Sequence, residues 1–420
     1  MRGLNRVKPN FKIEVLKMIV IDIVTRDMHE LHGANRVTEK IIKGYEQFKV
    51  NGYLLRYTIS RDGILDCSNY QVSTLGNHLN NKSYTKKRNL IEFAKKSPFY
   101  QTGLIQSLLV ENEIKSNKLI IDNIMKSGTI ADIIIFQDPF AAIYCIEHGL
   151  KINKSLFISH ADRDPLEQLL LNRPSLKGTG EEKKLRKRIE TLYNKVNKVV
   201  AICSASKEYI KNVYNLDAEC ILNGIEDIES PLKFVKLSKK DNKIHVAVVA
   251  SLQYRKGQDI LLDAFFRLCD SVKRHFKIHL IGTGDAEKPL KSSVKEANLS
   301  DCVEFHGAVL DVGSLLSQMD VFFLTSRADT VPISIIEALR AGLPVFASDI
   351  GEISYMIAGC GELLQPSIES VKEALEALAD GRYDIETLGK RARKRYEEKF
   401  KLTAMIDSYI DVCNKIADKQ

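Results

Sequence analysis

Residues 320–352, DVFFLTSRADTVPISIIEALRAGLPVFASDIGE, decide the fold of this chain. Val321–Leu324 is an apolar run of strand length, and a polar loop follows over 325–330. Pro332 suits the first position of a helix, where its missing N–H leaves no hydrogen bond unmade. The helix predicted over 333–341 ends at Gly342, and Pro344 blocks its continuation. A second strand is predicted over 345–347. Elements in this order turn the helix N-terminus toward the loop, offering free backbone N–H groups and a positive dipole end to phosphate.

One carboxylate in that helix asks for an explanation. Ile333, Ile335, Ile336, Ala338, Leu339 and Ala341 leave Glu337 hardly any wet face, so burial is expected, and a buried charge needs a partner. Two readings stand side by side. Glu337 pairs with Arg340 at i,i+3 on the rim, or it accepts hydrogen bonds from the hydroxyls of a bound ligand.

Asp329-x7-Glu337, followed by ALRAGLPV at 338–345 and SDIGE at 348–352, resembles the E-x7-E signature of retaining GT-B glycosyltransferases of the GT4 type, the glycosyl transferases group 1. The likeness covers the C-terminal half closely and the N-terminal half loosely. It implies an α/β architecture of two Rossmann-like domains facing a central cleft. By resemblance, Glu337 holds the nucleotide ribose, Asp329 sits beside the donor sugar, and the amides of Thr330, Val331 and Ile333 meet the diphosphate. One departure is plain, since the first acid is Asp329 where the family has Glu.

A chain of 420 residues is long enough for two or three cores, and its mixed charge and ordinary apolar content describe a globular protein. MRGLNRVKPNFK at the start is polar, and no stretch reaches the ~18–20 apolar residues of a membrane span. The eight cysteines are scattered without C-x-x-C or other metal spacing, which reads as reduced thiols of a cytoplasmic protein. A net charge of +8 suits anionic ligands or a membrane surface. Trp is absent and no nucleic-acid module is found, so nucleic acid is not an expected partner.

In chain order, a strand is predicted over 17–24, then a loop containing Gly33 and a helix to about residue 48. Gly33 resembles the acceptor-facing glycine of the family, or it serves an ordinary turn. Residues 50–80 read as short strands, and 84–128 as lysine-rich helix with apolar Leu104, Ile105, Leu108 and Leu109. That segment is a solvated face, or the contact with an inner-membrane surface that family members with lipid-linked acceptors carry. Buried strands are predicted over 131–137 and 156–159, the second ending at SHAD, 159–162. Ligands of open α/β sheets bind beyond the carboxyl ends of strands, which puts His160 and Asp162 toward the cleft. By resemblance His160 approaches the donor sugar and Asp162 lies on the acceptor side; a structural histidine is the other reading. A basic amphipathic helix over 183–198, a strand over 199–203 and a helix capped within SASK, 204–207, complete the first half.

The expected domains are 1–228, a linker at 229–243, 244–400, and a terminal helix at 401–420, the last part of a long helical run predicted from 391 to 420, that crosses back onto the first domain. The strand at 244–250 leads through SLQYRKGQ, 251–258, into a helix from Asp259. Lys256 matches the phosphate-binding lysine of the family. The arginine expected five positions earlier is Ser251, and Arg255 stands close enough to replace it. Gly282 and Gly284 resemble the loop beside the nucleotide, or make a tight turn. His306 ends an edge strand at 303–305, where the family grips the base, and is assigned no chemistry of its own.

The resemblance implies a retaining transfer of a sugar from a nucleotide-sugar donor to a glycan or lipid-linked acceptor, with no metal or other cofactor. Lys256, with Arg255 as its candidate aid, and the 330–334 amides other than that of Pro332, which has no N–H, stabilise the leaving diphosphate, and His160 and Asp329 orient the sugar. Synthesis of bacterial surface polysaccharide or lipopolysaccharide is the expected setting, with the chain at the inner membrane. The alternatives are an epimerase or phosphorylase on the same fold, or a non-catalytic partner subunit.

Overall fold

The structure is a computed structural model that describes residues 18–25, 33–59, 63–67, 102–126, 130–150, 152–161, 163–228 and 236–417. Asp162, part of the lysine-rich segment and part of the linker lie outside the described residues.

Two α/β units are built on two sheets. The first has the order β3-β2-β1-β4-β5-β6-β7 among the described residues, with β1 at Ile19–Val24, β2 at Tyr53–Ile59, β3 at Gly63–Asp66 and β4 at Ile133–Phe136. β5 is Lys154–Ser159, β6 Lys198–Ala201 and β7 Glu219–Cys220. All neighbours are parallel except β2 and β3. IIIF of β4 is wholly buried and KSLFIS of β5 nearly so, the continuous apolar runs that a parallel sheet covered on both faces requires.

The second sheet is fully parallel, in the order β10-β9-β8-β11-β12-β13. These strands are β8 (Ile244–Val249), β9 (Phe276–Ile281), β10 (Val303–Gly307), β11 (Val321–Leu324), β12 (Val345–Ser348) and β13 (Gly361–Leu364). Renumbered from β8, this is the 3-2-1-4-5-6 order of a doubly wound sheet. Its strand order reverses between β8 and β11, the switch point beyond whose carboxyl ends sheets of this type take their ligands. The first sheet reverses between β1 and β4.

The chain end joins the two units. Helix Leu402–Ala417 lies on the first unit, where Gln47 Nε2 donates to Thr403 O (3.1 Å), Tyr53 donates to Asn414, and Lys154 Nζ donates to Ala417 O (2.5 Å). One apolar cluster runs from Ile21 and Ile158 through Ile225, Phe400 and Ile406 to Phe322 and Val345. At the junction Lys40 and Lys43 both pair with Glu226. Burial alone would raise that carboxyl, but the two ammonium groups outweigh it and hold it down at about 2.

Two expectations of long helices are corrected. The helix predicted to residue 48 is Gly33–Lys43 followed by Tyr45–Val50, broken at Gly44. A Cβ on Gly44 would lie 2.5 Å from Ile406 Cδ1, so glycine at this break leaves room for a side chain of the terminal helix. The run predicted from 391 to 420 is Ile385–Lys399 and Leu402–Ala417. Between them Lys401 bridges to Ile225, and the Ile225 N–H donates to Phe400 O at 3.0 Å.

Candidate active site

The loops leaving β8 and β11 are stitched to each other. Tyr254–Lys256 forms a single 3-10 turn, and Gly257 follows at φ +66° to begin helix Gln258–Phe266. A Cβ on Gly257 would lie 1.9 Å from Thr325 O, so only glycine allows this approach. Thr325 Oγ1 donates to Gly257 O (2.7 Å), Arg327 N to Arg255 O (2.9 Å) and Arg255 Nη1 to Ala328 O (2.8 Å). Arg327 also forks onto Asp259 at 2.8 and 2.7 Å and stacks 3.8 Å from the Tyr254 ring centre.

This stitching brings Lys256 Nζ onto the Asp329 carboxylate, with each side chain only 13% exposed. Ser326 Oγ also approaches Asp329 Oδ2 at 3.4 Å. Read from the sequence, Lys256 and Asp329 have separate tasks, on phosphate and on sugar, whereas the fold makes them one ion pair. Arg255 is exposed and holds the loop through Ala328 O, while Ser251 receives Gln258 Nε2 on its own carbonyl at 2.9 Å.

The remaining donor-side residues surround this pair. A Cβ on Gly282 would lie 2.0 Å from Ala250 O, and one on Gly284 2.2 Å from Leu252 O. Both glycines therefore admit the backbone of the Lys256 loop. Thr330 O accepts from Glu352 N (3.0 Å), and Gly351, at φ +54°, packs on Asp329 O and Thr330 O. The Val331 side chain is buried in the core, and Ile333 opens helix Ile333–Arg340. Pro332 is the residue before that helix rather than its first, with φ −67° and ψ 117°. Ile335 N donates to Pro332 O (3.0 Å), and the N–H groups of Ile333 and Ser334 ahead of it have no partner within the helix.

Glu337 lies one turn farther along, about 6 Å up the axis. The expected burial is corrected, because Glu337 is half-buried on a stripe with Ile333, Ser334 and Arg340. Arg340 sends Nη1 to Glu226 O at 2.9 Å, toward the junction between the units.

On the opposite unit, His160 follows β5 and Gln137 follows β4, and His160 Nε2 lies 2.5 Å from Gln137 Oε1. An amide oxygen only accepts, so Nε2 carries the ring proton and Nδ1 keeps its lone pair. Burial lowers this imidazole to about 4, which leaves it neutral at physiological pH. Nδ1 of His160 and Nε2 of Gln137 are both buried without a hydrogen-bond partner among the described residues. Orphaned buried polar atoms of this kind mark a place where a ligand can supply the missing bonds. Gln137 escaped the sequence reading; its signal was its place at the end of the strand beside that of His160. Gly33 begins helix Gly33–Lys43.

A second feature escaped it too. The predicted cap within 204–207 is corrected, since Cys203 Sγ accepts from Ser206 N and helix Ser204–Tyr214 begins at Ser204 itself. Glu352 Oε1 reaches across from the other unit and accepts from Ser204 N (2.6 Å), Ala205 N (3.1 Å) and the Ser204 hydroxyl. Glu352 is buried, and its neighbour Gly351 touches the Asp329 loop, so this bond fastens the two units beside the crevice.

Comparison with known families reaches the second unit. Residues 229–395 match the family model described as glycosyl transferases group 1. The matched stretch, 167 of the 420 residues, carries the likeness to that family. The Asp329-x7-Glu337 segment and the Lys256 loop lie within the matched residues, and the whole architecture is GT-B. The chain is 27% identical over 171 residues to the amylovoran biosynthesis glycosyltransferase AmsK of Erwinia amylovora, covering 37% of this chain and 41% of AmsK. To the O-antigen chain mannosyltransferase C of Escherichia coli it is 25% identical over 182 residues, covering 41% of this chain and 47% of that one. The matches thus span less than half the length of these curated relatives. Among solved structures, Anabaena HepE in complex with UDP-glucose superposes with a TM-score of 0.62 at 17% identity, covering 94% of this chain and 100% of HepE. Among the described residues no helix is long and apolar enough to cross a membrane.

Proposed function

We propose that this chain transfers a sugar, with retention, from a nucleotide-sugar donor to an acceptor hydroxyl. The observation that carries the reading is the Lys256–Asp329 pair, set where the loops of β8 and β11 meet at the switch point of the group 1 sheet. Lys256 and the amides of Thr330, Val331 and Ile333 stabilise charge on the departing diphosphate. Glu337 holds the ribose. Asp329, released from Lys256 by that phosphate, turns to the sugar hydroxyls. Neutral His160, its proton fixed on Nε2 by Gln137, presents an acceptor nitrogen to the donor sugar. No carboxylate is assigned to a covalent double displacement; the leaving phosphate takes the acceptor proton on the front face. No metal takes part in this scheme.

The relatives named for amylovoran and O-antigen chain synthesis support a role in building bacterial surface glycan. Exposed Leu104 and Leu108 on helix Gly103–Lys115 support a lipid-linked acceptor met at the cytoplasmic face of the inner membrane. The test is turnover of UDP-, GDP-, ADP- and CMP-sugars by the purified chain, with the product's anomeric configuration read by NMR. Lys256→Ala and Glu337→Ala are each expected to lose at least ~10²-fold in rate. Undiminished turnover in either variant, or an inverted product, refutes the scheme.

A further inference from the structure

Three histidines of the second unit form a ladder across its sheet. Register pairs His245 with Lys277, Ala247 with His279, and His279 with Glu304, which puts His245, His279 and Glu304 on one face. The rings of His245 and His279 stack at 5.1 Å, and those of His279 and His306 at 5.2 Å. β10 carries an irregularity at this point: Phe305 pairs with Leu280 but Gly307 with Ile281, which leaves His306 as the extra residue. His306 follows Glu304 by two residues, so the alternation of the pleat sets it on the face of the ladder.

The ladder has a direction. Asp241 Oδ1 lies 3.0 Å from His245 Nε2 and fixes the proton there. His245 Nδ1 then accepts from His279 Nε2 at 2.8 Å, and His279 Nδ1 is left with its lone pair. That lone pair faces His306 Nε2 at 2.9 Å. The Glu304 carboxylate stands beside both nitrogens, at 3.9 Å from His279 Nδ1 and 3.7 Å from His306 Nε2. Donor atoms of all three residues lie within 4.8 Å of one another.

We propose that His279 Nδ1, His306 Nε2 and a Glu304 oxygen form a site for a borderline transition-metal dication, Zn2+ by ligand chemistry. Two imidazole nitrogens and one carboxylate are a zinc ligand set that leaves a coordination position open. The outer shell is already built, because His245 orients His279 and Asp241 orients His245. On binding, His306 moves its proton from Nε2 to Nδ1, and no net proton need be released. The two nitrogens separate from 2.9 Å to about 3.3 Å, the spacing set by tetrahedral Zn–N bonds of ~2.05 Å, on an edge strand with room to adjust. Lys277 Nζ lies 3.4 Å from Glu304 Oε2 and is the cation that the metal displaces from this carboxylate. The site adjoins the Gly282–Gly284 loop, since Gly282 N donates to Gly307 O at 2.8 Å.

The experiment is a Co2+ titration of the untagged, metal-stripped full chain, followed by visible d–d absorption and competed with Zn2+. One saturable equivalent is expected, tighter than about 10 µM. His306→Ala and Glu304→Gln should each weaken binding at least ~10²-fold, and Asp241→Asn, which acts only through His245, about tenfold. Far-UV circular dichroism checks that the variants fold. The doubly substituted Cys220→Ser, Cys269→Ser chain, which lacks its two exposed thiols, should bind as before. No saturable binding, wild-type affinity in His306→Ala and Glu304→Gln, or loss of the signal with the two thiols each overturns the proposal.

Discussion

The Lys256–Asp329 pair can be separated into its contributions to stability and to transfer. Each side chain retains 13% exposure, so either partner left alone is a largely desolvated charge with little water to replace the other. Removing one member of a fully buried pair costs ~3–5 kcal/mol; the residual exposure here places Lys256→Met and Asp329→Asn lower, at about 2–3 kcal/mol each. The double variant leaves neither charge stranded and should recover most of that loss, giving a coupling of about 2 kcal/mol. The chain has no tryptophan, so urea unfolding is best followed by far-UV circular dichroism. With a slope of ~2–3 kcal/mol/M, each single variant should shift the midpoint down by about 1 M, and the double variant by much less. Transfer behaves differently under the proposed function. Lys256→Met and the double variant should both stay at least ~10²-fold below wild type, because neither has a cation for the diphosphate. A double variant no more stable than its weaker parent refutes the pairing. One that regains transfer together with stability refutes the role of Lys256 on phosphate.

The other predictions concern the elements that shape the crevice. Gly257→Ala and Gly307→Ala share a φ of +66°, which costs ~1–2 kcal/mol in either place. Only the former drives a Cβ to 1.9 Å from Thr325 O, so thermal melts should show Gly257→Ala as clearly the worse, and it alone should weaken donor binding. His160 has its pKa lowered to about 4 by burial, so below its ordinary 6.5 the unfolded chain binds the extra proton. Its contribution is complete above pH 6.5 and falls away toward pH 4; after allowance for partial exposure, roughly 1–2 kcal/mol should go between pH 7 and 5. His160→Gln should flatten that slope in melting temperature, and an unchanged slope counts against a buried neutral imidazole. Glu352→Ala removes the acceptor of three donors at the start of helix Ser204–Tyr214, a loss of about 1–2 kcal/mol. Small-angle scattering should show the two units further apart in Glu352→Ala than in Glu352→Gln, and identical profiles refute the fastening.

What could be read from the sequence was local. β11, the helix after Pro332 and the stop at Gly342 follow from apolar run length, a proline and a glycine, which act within a few residues. What failed depends on neighbours brought in from far along the chain. Lys256 and Asp329 are 73 positions apart, and nothing in either loop announces that Gly257 lets the two backbones touch. Glu337 was placed too deep because Ile333 was counted as core, although the fold leaves Ile333 and Ser334 on the partly open stripe with it. Cys203 took the capping position expected within 204–207, and Ser204 instead meets Glu352 of the other unit, 148 positions away. The histidine ladder is the instructive case, because it was recoverable. His245 is the second residue of β8 and His279 the fourth of β9, and adjacent parallel strands put both on one face once their register is known. Strand order follows from the group 1 resemblance, and side-chain parity follows from the pleat. His306 shares that face with Glu304 two residues before it, by the same alternation; only the irregularity between Phe305 and Gly307 lay beyond reach, because it is defined by pairing with β9.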